Sequence, residues 1–247
     1  MSAKDPIRVV LVGTQHPGNI GSAARAMKTM GLSNLVLVAP KRYPDPEATA
    51  LAAGAVDILE QAQVVESLAE ALLGCTYVIG TSSRARSVAL PELAPRQAAE
   101  QLVAKSVGNQ VALLFGPERT GLENEDLQHC HACVLIPCNP EYASLNLASA
   151  VQVLSYEIRL QRIEQHLINK PDAKSVEIEI ANHEQMERFF SHLAQFMDEV
   201  DFHKGKPPEL VTQRLRRLFL RAEMDEREIK IIRGLLSDAQ RLLHQNR

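Results

Sequence analysis

Two glycines and an arginine follow the first apolar run of the chain, in the segment Gly18–Arg25, which reads GNIGSAAR. Glycines let a backbone approach a ligand closely, and the amides at the start of a helix offer an anion site. Arg25, one turn into such a helix, could reach a phosphate, and a surface salt bridge is the alternative. The segment departs from G-x-G-x-x-G, and the next strand ends in Val38-Ala39-Pro40 without an acidic residue. These departures disfavour a nucleotide-dependent oxidoreductase.

Two later segments also place polar residues at turns. Phe115–Leu122 ends an apolar run in a glycine turn, with Glu118 between the glycines. Pro140–Ala148 leads into the longest helical pattern of the chain. Propensity alone would make Ser144 or Asn146 the N-cap of that helix and nothing more.

A cluster of histidines and cysteines, His129-Cys130-His131-Ala132-Cys133 with Cys138 after it, offers enough ligands in principle for zinc. The cluster runs into an apolar strand, however, and the alternation of that strand would separate Cys133 from Cys138. Structural zinc sites need four convergent ligands. The sequence therefore favours buried thiols over a metal site, and we expect no metal.

The elements that must position these residues alternate between apolar runs and helical patterns. Runs of Val, Ile and Leu without polar alternation suit strands that are buried on both faces. Alternation of such strands with helices predicts an α/β fold with a parallel sheet. The predicted strands are Ile7–Val12, Leu35–Val38, Tyr77–Gly80, Val111–Phe115 and Val134–Ile136; the predicted helices include Ser22–Met30, Ser67–Leu73, Arg96–Lys105 and Asn146–Leu167.

Ligands bind beyond the carboxyl ends of strands in open sheets of this class. Every unusual segment of the sequence follows a predicted strand: Gly13–Ser22, Thr81–Arg84, Gly116–Gly121 and Pro137–Leu145. We therefore expect these loops to meet at one edge of the sheet.

The last third of the chain predicts a small helical domain. Apolar residues recur at three and four residues in three stretches, one of them containing Val211, Leu215, Leu218 and Phe219. The same stretch carries Arg214, Arg216, Arg217 and Arg221. These arginines predict a surface for an RNA backbone, and a solvated basic face is the alternative. The predicted domains are 1–167 and 183–247, joined by a linker at 168–182.

Composition agrees with an ordinary globular protein of 247 residues, 45% hydrophobic and 23% charged, with a net charge of -3. Residues 212–247 hold 9 Lys and Arg against 5 Asp and Glu, so the C-terminal end is the basic part. Four cysteines do not make a disulfide framework, and no stretch has the length and apolarity of a membrane span. We expect a cytoplasmic protein.

The three segments taken together, Asn19–Arg25, Gly116–Leu122 and Ser144–Ala148, resemble in this order the three motifs of the SPOUT methyltransferases in their TrmH-like branch. The resemblance is strong over about the first 165 residues and covers the helical tail in outline. It implies a parallel sheet with flanking helices whose C-terminal part forms a trefoil knot, a homodimer, and S-adenosyl-L-methionine as the cofactor. Periodicity alone could not indicate a knot, because knots are rare among folds.

The resemblance also assigns roles to residues of this sequence. It implies cofactor contacts at Thr81, Ser82, Ser83, Gly116, Ile136, Ala143, Ser144 and Leu145. It implies a catalytic Arg25 supported by Asn19, Glu118, Ser144 and Asn146, some of them across the dimer interface. RNA contacts are expected at Arg25, Arg84, Arg214, Arg216, Arg217 and Arg221.

The resemblance implies 2′-O-methylation of a tRNA ribose, at the cytidine or uridine in position 32 of the anticodon loop. A guanidinium has no acceptor and stays protonated, so we interpret Arg25 as a clamp for phosphate and oxyanion rather than as a base. The proton could leave to a substrate phosphate, water or Ser144. The alternatives are ribose methylation of rRNA by an enzyme of the same family and an RNA-binding protein of this fold without catalysis; intact Arg25, Gly116 and Ser144 argue against the latter.

Overall fold

The computed structural model describes residues 5–82, 90–142, 144–168, 180–204 and 208–245. The chain divides into two compact units, Met1–Ala173 and Lys174–Arg247. The predicted domain limits and the linker at 168–182 remain predictions, because residues 169–179 lie outside the described part.

The first unit contains a seven-stranded parallel sheet in the order β3-β2-β1-β6-β4-β7-β5. The predicted α/β class with a parallel sheet is thus confirmed, while the trefoil knot stays a prediction. The strands are β1 (Ile7–Val12), β2 (Asn34–Val38), β3 (Gln63–Val65), β4 (Cys75–Ser82), β5 (Glu92–Leu93), β6 (Gln110–Phe115) and β7 (Ala132–Leu135).

Helices cover both faces of this sheet, which explains why its central strands are apolar at successive positions. Val9 of β1 belongs to one buried cluster and Val10 to another on the opposite face. The helices of this unit are α1 (Pro17–Thr29), α2 (Pro46–Ala52), α3 (Val56–Glu60), α4 (Leu68–Ala71), α5 (Pro95–Lys105), α6 (Asn124–Leu127) and α7 (Leu147–Ile168), with a 3-10 turn at Ala53–Ala55.

Helix α1 begins at Pro17, earlier than the predicted start at Ser22. Proline suits the first helical position because its fixed φ is already helical and its missing N–H has no partner there. The glycines Gly18 and Gly21 therefore lie inside the helix rather than in a loop before it. Sequence periodicity missed this first turn because glycine and proline together usually indicate a loop.

The second unit is helical, as predicted, with α8 (His183–Glu199), α9 (Glu209–Ala222) and α10 (Glu226–Gln245). Its core contains Met186, Phe189, Phe190 and Met197 from the predicted stripe of α8. On α9 the predicted stripe differs in one residue. Leu218 is 46% exposed, and Leu220 is buried in its place.

No helix among the described residues is both long enough and apolar enough to cross a bilayer.

Candidate active site

The loops that were predicted to carry the site follow β1, β6, β4 and β7, which are consecutive neighbours in the sheet. All four strands are parallel, so their carboxyl ends lie at one edge. Neighbouring strands are separated by about 4.8 Å. The loops therefore follow the order of the strands along this edge. The loop between β1 and α1 lies at one side, and the loop after β7 lies at the other.

A cavity of about 430 Å³ lies at this edge. Six of the eight predicted cofactor residues line it: Thr81, Ser82, Gly116, Ile136, Ser144 and Leu145. The other two, Ser83 and Ala143, lie outside the described residues, as does the predicted RNA contact Arg84. The sequence thus predicted much of one continuous surface from loops that are far apart in the chain.

The lining combines apolar walls with hydroxyl groups. Ile136, Leu145, Leu147 and Ala150 supply the apolar part, while Thr81, Ser82 and Ser144 supply hydroxyls. A cavity of this size and mixed lining suits a small organic ligand with a flat apolar part and several polar atoms. S-adenosyl-L-methionine, with its purine and ribose, fits that description.

Several lining residues were not among the sequence predictions, including Pro117, Arg119, Thr120, Cys138 and Leu147. Each of them lies in a segment that the sequence had already indicated. Their orientation depends on how the loops fold, which residue type alone does not determine.

The turn after β6 is so tight that only glycine fits at its start. A Cβ on Gly116 would lie 2.1 Å from the backbone nitrogen of Leu122 and 2.2 Å from the carbonyl carbon of Gly121. The amide of Gly121 donates to the carbonyl of Pro117 at 2.8 Å, and Gly121 has a φ of +65°. This turn holds Glu118 at the edge of the cavity.

Glu118 accepts hydrogen bonds from three nitrogen donors of the segment after β1. The backbone amides of Gln15 and His16 donate to its carboxylate at 2.9 and 3.2 Å, and Nδ2 of Asn19 donates at 2.8 Å. The anion at the start of α1 is therefore a side chain of the protein itself. The sequence suggested that amides at the start of this helix could bind a ligand anion; the structure instead places the Glu118 carboxylate against the amides of Gln15 and His16, which precede α1.

The ionisation of Glu118 follows from these contacts. Burial raises the pKa of the carboxyl, but the hydrogen bonds from Asn19, Gln15 and His16 act in the opposite direction and together outweigh it. The net effect is a pKa below the ordinary carboxyl value. At neutral pH Glu118 is a carboxylate whose oxygens are occupied by N–H donors.

Asn146 joins this network to helix α7. Its Nδ2 donates to Oδ1 of Asn19 at 2.9 Å, and its Oδ1 accepts from the amides of Ala148 and Ser149 at 2.9 and 3.3 Å. Asn146 therefore caps the helix and also orients Asn19. Ser144, the other candidate for the cap, lines the cavity instead.

Gly18 and Gly21 serve helix packing rather than ligand approach. A Cβ on Gly21 would lie 2.0 Å from the carbonyl oxygen of Ala48, and one on Gly18 would lie 2.8 Å from Oε1 of Glu47. Both contacts are with α2. At Gly21 the nearest atoms are backbone, so the close contact between α1 and α2 requires glycine there; at Gly18 they are ends of side chains.

Arg25 lies on the exposed side of α1 and does not line the cavity. It forms no ion pair with any residue in the described ranges, so the alternative of a surface salt bridge finds no partner there. Asn19 is hydrogen-bonded to both Glu118 and Asn146, and Glu118 shares the cavity with Ser144. Arg25 is the one predicted catalytic residue that the structure does not bring to this group.

The predicted arginines of the tail differ in their surroundings. Arg214 and Arg221 are exposed on α9, and Arg217 is partly exposed. Arg216 instead forms an ion pair with Glu187, and its guanidinium lies 4.4 Å from the ring centre of Phe190. Burial lowers the pKa of Arg216 to about 10, which still leaves it charged at neutral pH.

Two cysteines of the histidine and cysteine cluster lie in the core of the sheet, whereas His129 and His131 are partly exposed. Cys130 and Cys133 are buried, as predicted, and burial raises the pKa of the Cys130 thiol well above its ordinary value. Nδ1 of His131 accepts from the amide of Val78 at 3.2 Å. Cys138 is separated from them and lines the cavity.

Comparison with known proteins identifies the class. Residues 6–156 match the model of the SpoU rRNA Methylase family, and residues 184–247 match the model of the tRNA methyltransferase TrmJ, C-terminal domain. The chain belongs to the SpoU methylase family, which confirms the resemblance that the three motifs indicated.

Individual relatives are similar over nearly the whole chain. The tRNA (cytidine/uridine-2′-O-)-methyltransferase TrmJ of Photorhabdus laumondii is 48% identical over 95% of this chain and 97% of its own length. The crystal structure of TrmJ from Z. mobilis ZM4 has a TM-score of 0.80 at 35% identity, covering 94% of this chain and 98% of that one. A structure described as giving insights into the 2-OH methylation of C/U34 on tRNA has a TM-score of 0.52 at 27% identity, covering 64% and 97%.

Proposed function

We propose that this protein transfers a methyl group from S-adenosyl-L-methionine to a ribose 2′-hydroxyl of tRNA. The observation that carries the proposal is the cavity lined by six predicted cofactor residues beside the Glu118–Asn19–Asn146 network. The relatives that match nearly the full length are named as tRNA (cytidine/uridine-2′-O-)-methyltransferases. When bound, S-adenosyl-L-methionine supplies an electrophilic methyl group on a sulfonium centre.

The residues of the cavity have complementary roles in this proposal. Ile136 and Leu145 would hold the purine, and the hydroxyls of Thr81, Ser82 and Ser144 would bind the polar atoms of the nucleoside. The protein would contribute to the rate by aligning the hydroxyl with the methyl group.

Glu118, Asn19 and Asn146 act by positioning rather than by proton transfer. A carboxylate with a low pKa and three N–H donors is a poor acceptor for the proton of a hydroxyl. The network instead fixes the start of α1, and with it the surface that faces the RNA. Ser144 remains a candidate for receiving the proton, together with water and a substrate phosphate.

Arg25 binds the RNA in this proposal, as a clamp for a phosphate and for the developing oxyanion. Its guanidinium is exposed and lies outside the lining of the cavity. That position is consistent with the expectation that part of the site is contributed across a homodimer interface. The homodimer itself is part of the proposal.

The proposed target is the cytidine or uridine at position 32 of the anticodon loop. Both bases are accepted if the enzyme addresses the ribose, which all nucleotides share, and a 2′-hydroxyl also distinguishes RNA from DNA. Two alternatives have specific support: position 34, which the description of one similar structure names, and rRNA, which the name of the family model includes.

The test is incubation of the protein with tritiated S-adenosyl-L-methionine and unmodified total tRNA or rRNA, followed by mapping of the methylated nucleotide. We expect label on a ribose of the anticodon loop. In the variant Arg25→Ala we expect label to be lost while calorimetry still detects cofactor binding. Label on a base, or no label in tRNA, would overturn the proposal, and parallel loss of cofactor binding would contradict the clamp role of Arg25.

A further inference from the structure

Arg119 carries a positive charge at the cavity that no described residue neutralises. It is exposed, it lines the cavity, and its guanidinium forms no ion pair or hydrogen bond with any residue in the described part of the chain. Among the described lining residues it is the one cation, and Glu118 is the one anion. None of the roles that the family resemblance implies falls on Arg119.

The neighbouring Glu118 does not serve as its partner. The carboxylate oxygens of Glu118 already accept from Gln15, His16 and Asn19, all of them on the segment after β1. The two adjacent side chains therefore differ in their contacts. Glu118 binds residues at the start of α1, whereas Arg119 lines the cavity without a partner among the described residues. An arginine in this position is suited to a carboxylate, because its planar fork matches the two oxygens.

The sheet order separates the charged part of the cavity from part of its apolar wall. Arg119 lies in the turn after β6, while Ile136 directly follows β7, and β4 lies between these strands. Two strand spacings amount to about 10 Å. A ligand that fills the cavity with its flat apolar part near Ile136 therefore presents its opposite end to Arg119.

We infer that Arg119 binds the carboxylate of the methionine part of S-adenosyl-L-methionine. This inference rests on the proposed function. The carboxylate is the one negatively charged group of that molecule, whereas its sulfonium and ammonium groups would be repelled by a guanidinium. Arg119 thereby orients the donor: purine towards β7 and methionine carboxylate towards the turn after β6.

The test compares two ligands that differ only in this group. Calorimetry measures the binding of S-adenosyl-L-methionine and of its decarboxylated form to the full-length protein and to Arg119→Gln. Loss of a charged hydrogen bond predicts that Arg119→Gln weakens binding of S-adenosyl-L-methionine about tenfold. The decarboxylated ligand should bind both proteins equally, and Arg119→Lys should retain part of the preference for the carboxylate.

Arg159→Gln is the matched control, because it removes an exposed arginine of the same unit that does not line the cavity. It should leave the binding of both ligands unchanged. Equal weakening of both ligands by Arg119→Gln would overturn the inference, as would unchanged cofactor affinity with a raised KM for tRNA, which would make Arg119 an RNA contact. Failure of the wild-type protein to bind S-adenosyl-L-methionine would instead contradict the proposed function.

Discussion

Glu118 connects the three segments from which the family resemblance was drawn. It lies in the second segment, it accepts from Asn19 of the first, and Asn19 in turn accepts from Asn146 of the third. Because each amide is both donor and acceptor here, the orientation of every side chain in this network is fixed. The network requires an acceptor at position 118, which an ionised carboxylate supplies with both oxygens.

Replacing Glu118 by glutamine should therefore impair the site although the shape of the side chain is kept. One of the two acceptors becomes an NH₂ group that faces N–H donors, and a missing or unsatisfied hydrogen bond of this kind costs about 1 kcal/mol. We expect Glu118→Gln to lower kcat by about tenfold or more and to lower the thermal midpoint by a few degrees. Single-turnover kinetics and thermal unfolding measure the two effects.

Glu125→Gln, a change at an exposed carboxylate of α6, is the control and should alter neither kcat nor the thermal midpoint.

The pH dependence of stability gives an independent check on the role of Glu118. Because the folded pKa of Glu118 is lowered, its ionised form contributes stability above the ordinary carboxyl pKa, and this contribution is lost as pH falls through the folded value. The stability difference between wild type and Glu118→Gln should shrink below about pH 4. A difference that stays constant there would contradict the role of the charge.

At the scale of elements, the position of the site depends on how closely α1 approaches α2. Gly21 has no room for a Cβ because the carbonyl oxygen of Ala48 would lie 2.0 Å from it. Helix α1 also carries Asn19, whose side chain has to stay within hydrogen-bond distance of Glu118. A residue that separates the helices would therefore disturb the network.

Gly21→Ala should destabilise the protein although alanine favours helix. The clash with the backbone of α2 requires a shift of a whole helix, and overpacking of this kind costs about 1–3 kcal/mol, more than the roughly 1 kcal/mol gained from helix propensity. Gly234→Ala is the matched control, since that glycine lies in α10 and nothing lies within 4 Å of an added Cβ. Denaturant unfolding should give a loss for Gly21→Ala and a small gain for Gly234→Ala; a gain in both would contradict the packing argument.

The sequence predicted those strands and helices whose buried positions form a clear pattern of apolar residues. The predicted strand Ile7–Val12 is confirmed as it stands, and α7 buries Leu147, Val151, Leu154 and Ile158 as its stripe predicted. The short strands β3 and β5 were missed, because three-residue and two-residue segments hold too few positions for a periodic pattern.

The candidate site was predictable as a set of loops but not as a set of hydrogen bonds. The pairing of Gln15 and His16 with Glu118 crosses about a hundred positions of sequence and uses backbone amides, which every residue type offers. Arg216 is a second example, in which the partner is a side chain. An RNA contact was expected at Arg216 because it lies beside Arg214, Arg217 and Arg221, and nothing in the sequence indicated its ion pair with Glu187 on another helix.

At the scale of the whole molecule, the cavity and the basic surface belong to different units. The cavity residues all lie in the first unit, whereas Arg214, Arg217 and Arg221 lie on α9 of the second. We propose that the first unit binds the methyl donor and the second contributes affinity for the tRNA backbone. The two activities should then respond separately to mutation.

Replacing Arg214, Arg217 and Arg221 together by glutamine should raise the KM for tRNA and leave the affinity for S-adenosyl-L-methionine unchanged. The dependence of tRNA binding on salt should also weaken, by about 0.7 to 0.9 in the logarithmic slope for each phosphate that is no longer neutralised. Filter binding across a range of salt concentrations measures this slope, and calorimetry measures the cofactor affinity.

The control removes the same charge from another surface of the same unit, by changing three exposed arginines of α10 to glutamine: Arg227, Arg233 and Arg241. Non-specific attraction depends on total charge, so it would make the two triple variants lose affinity equally. A tRNA surface on α9 instead predicts a larger loss of affinity and of salt dependence for the α9 variant. Equal losses would reduce the α9 arginines to a solvated basic face, the alternative that the sequence had left open.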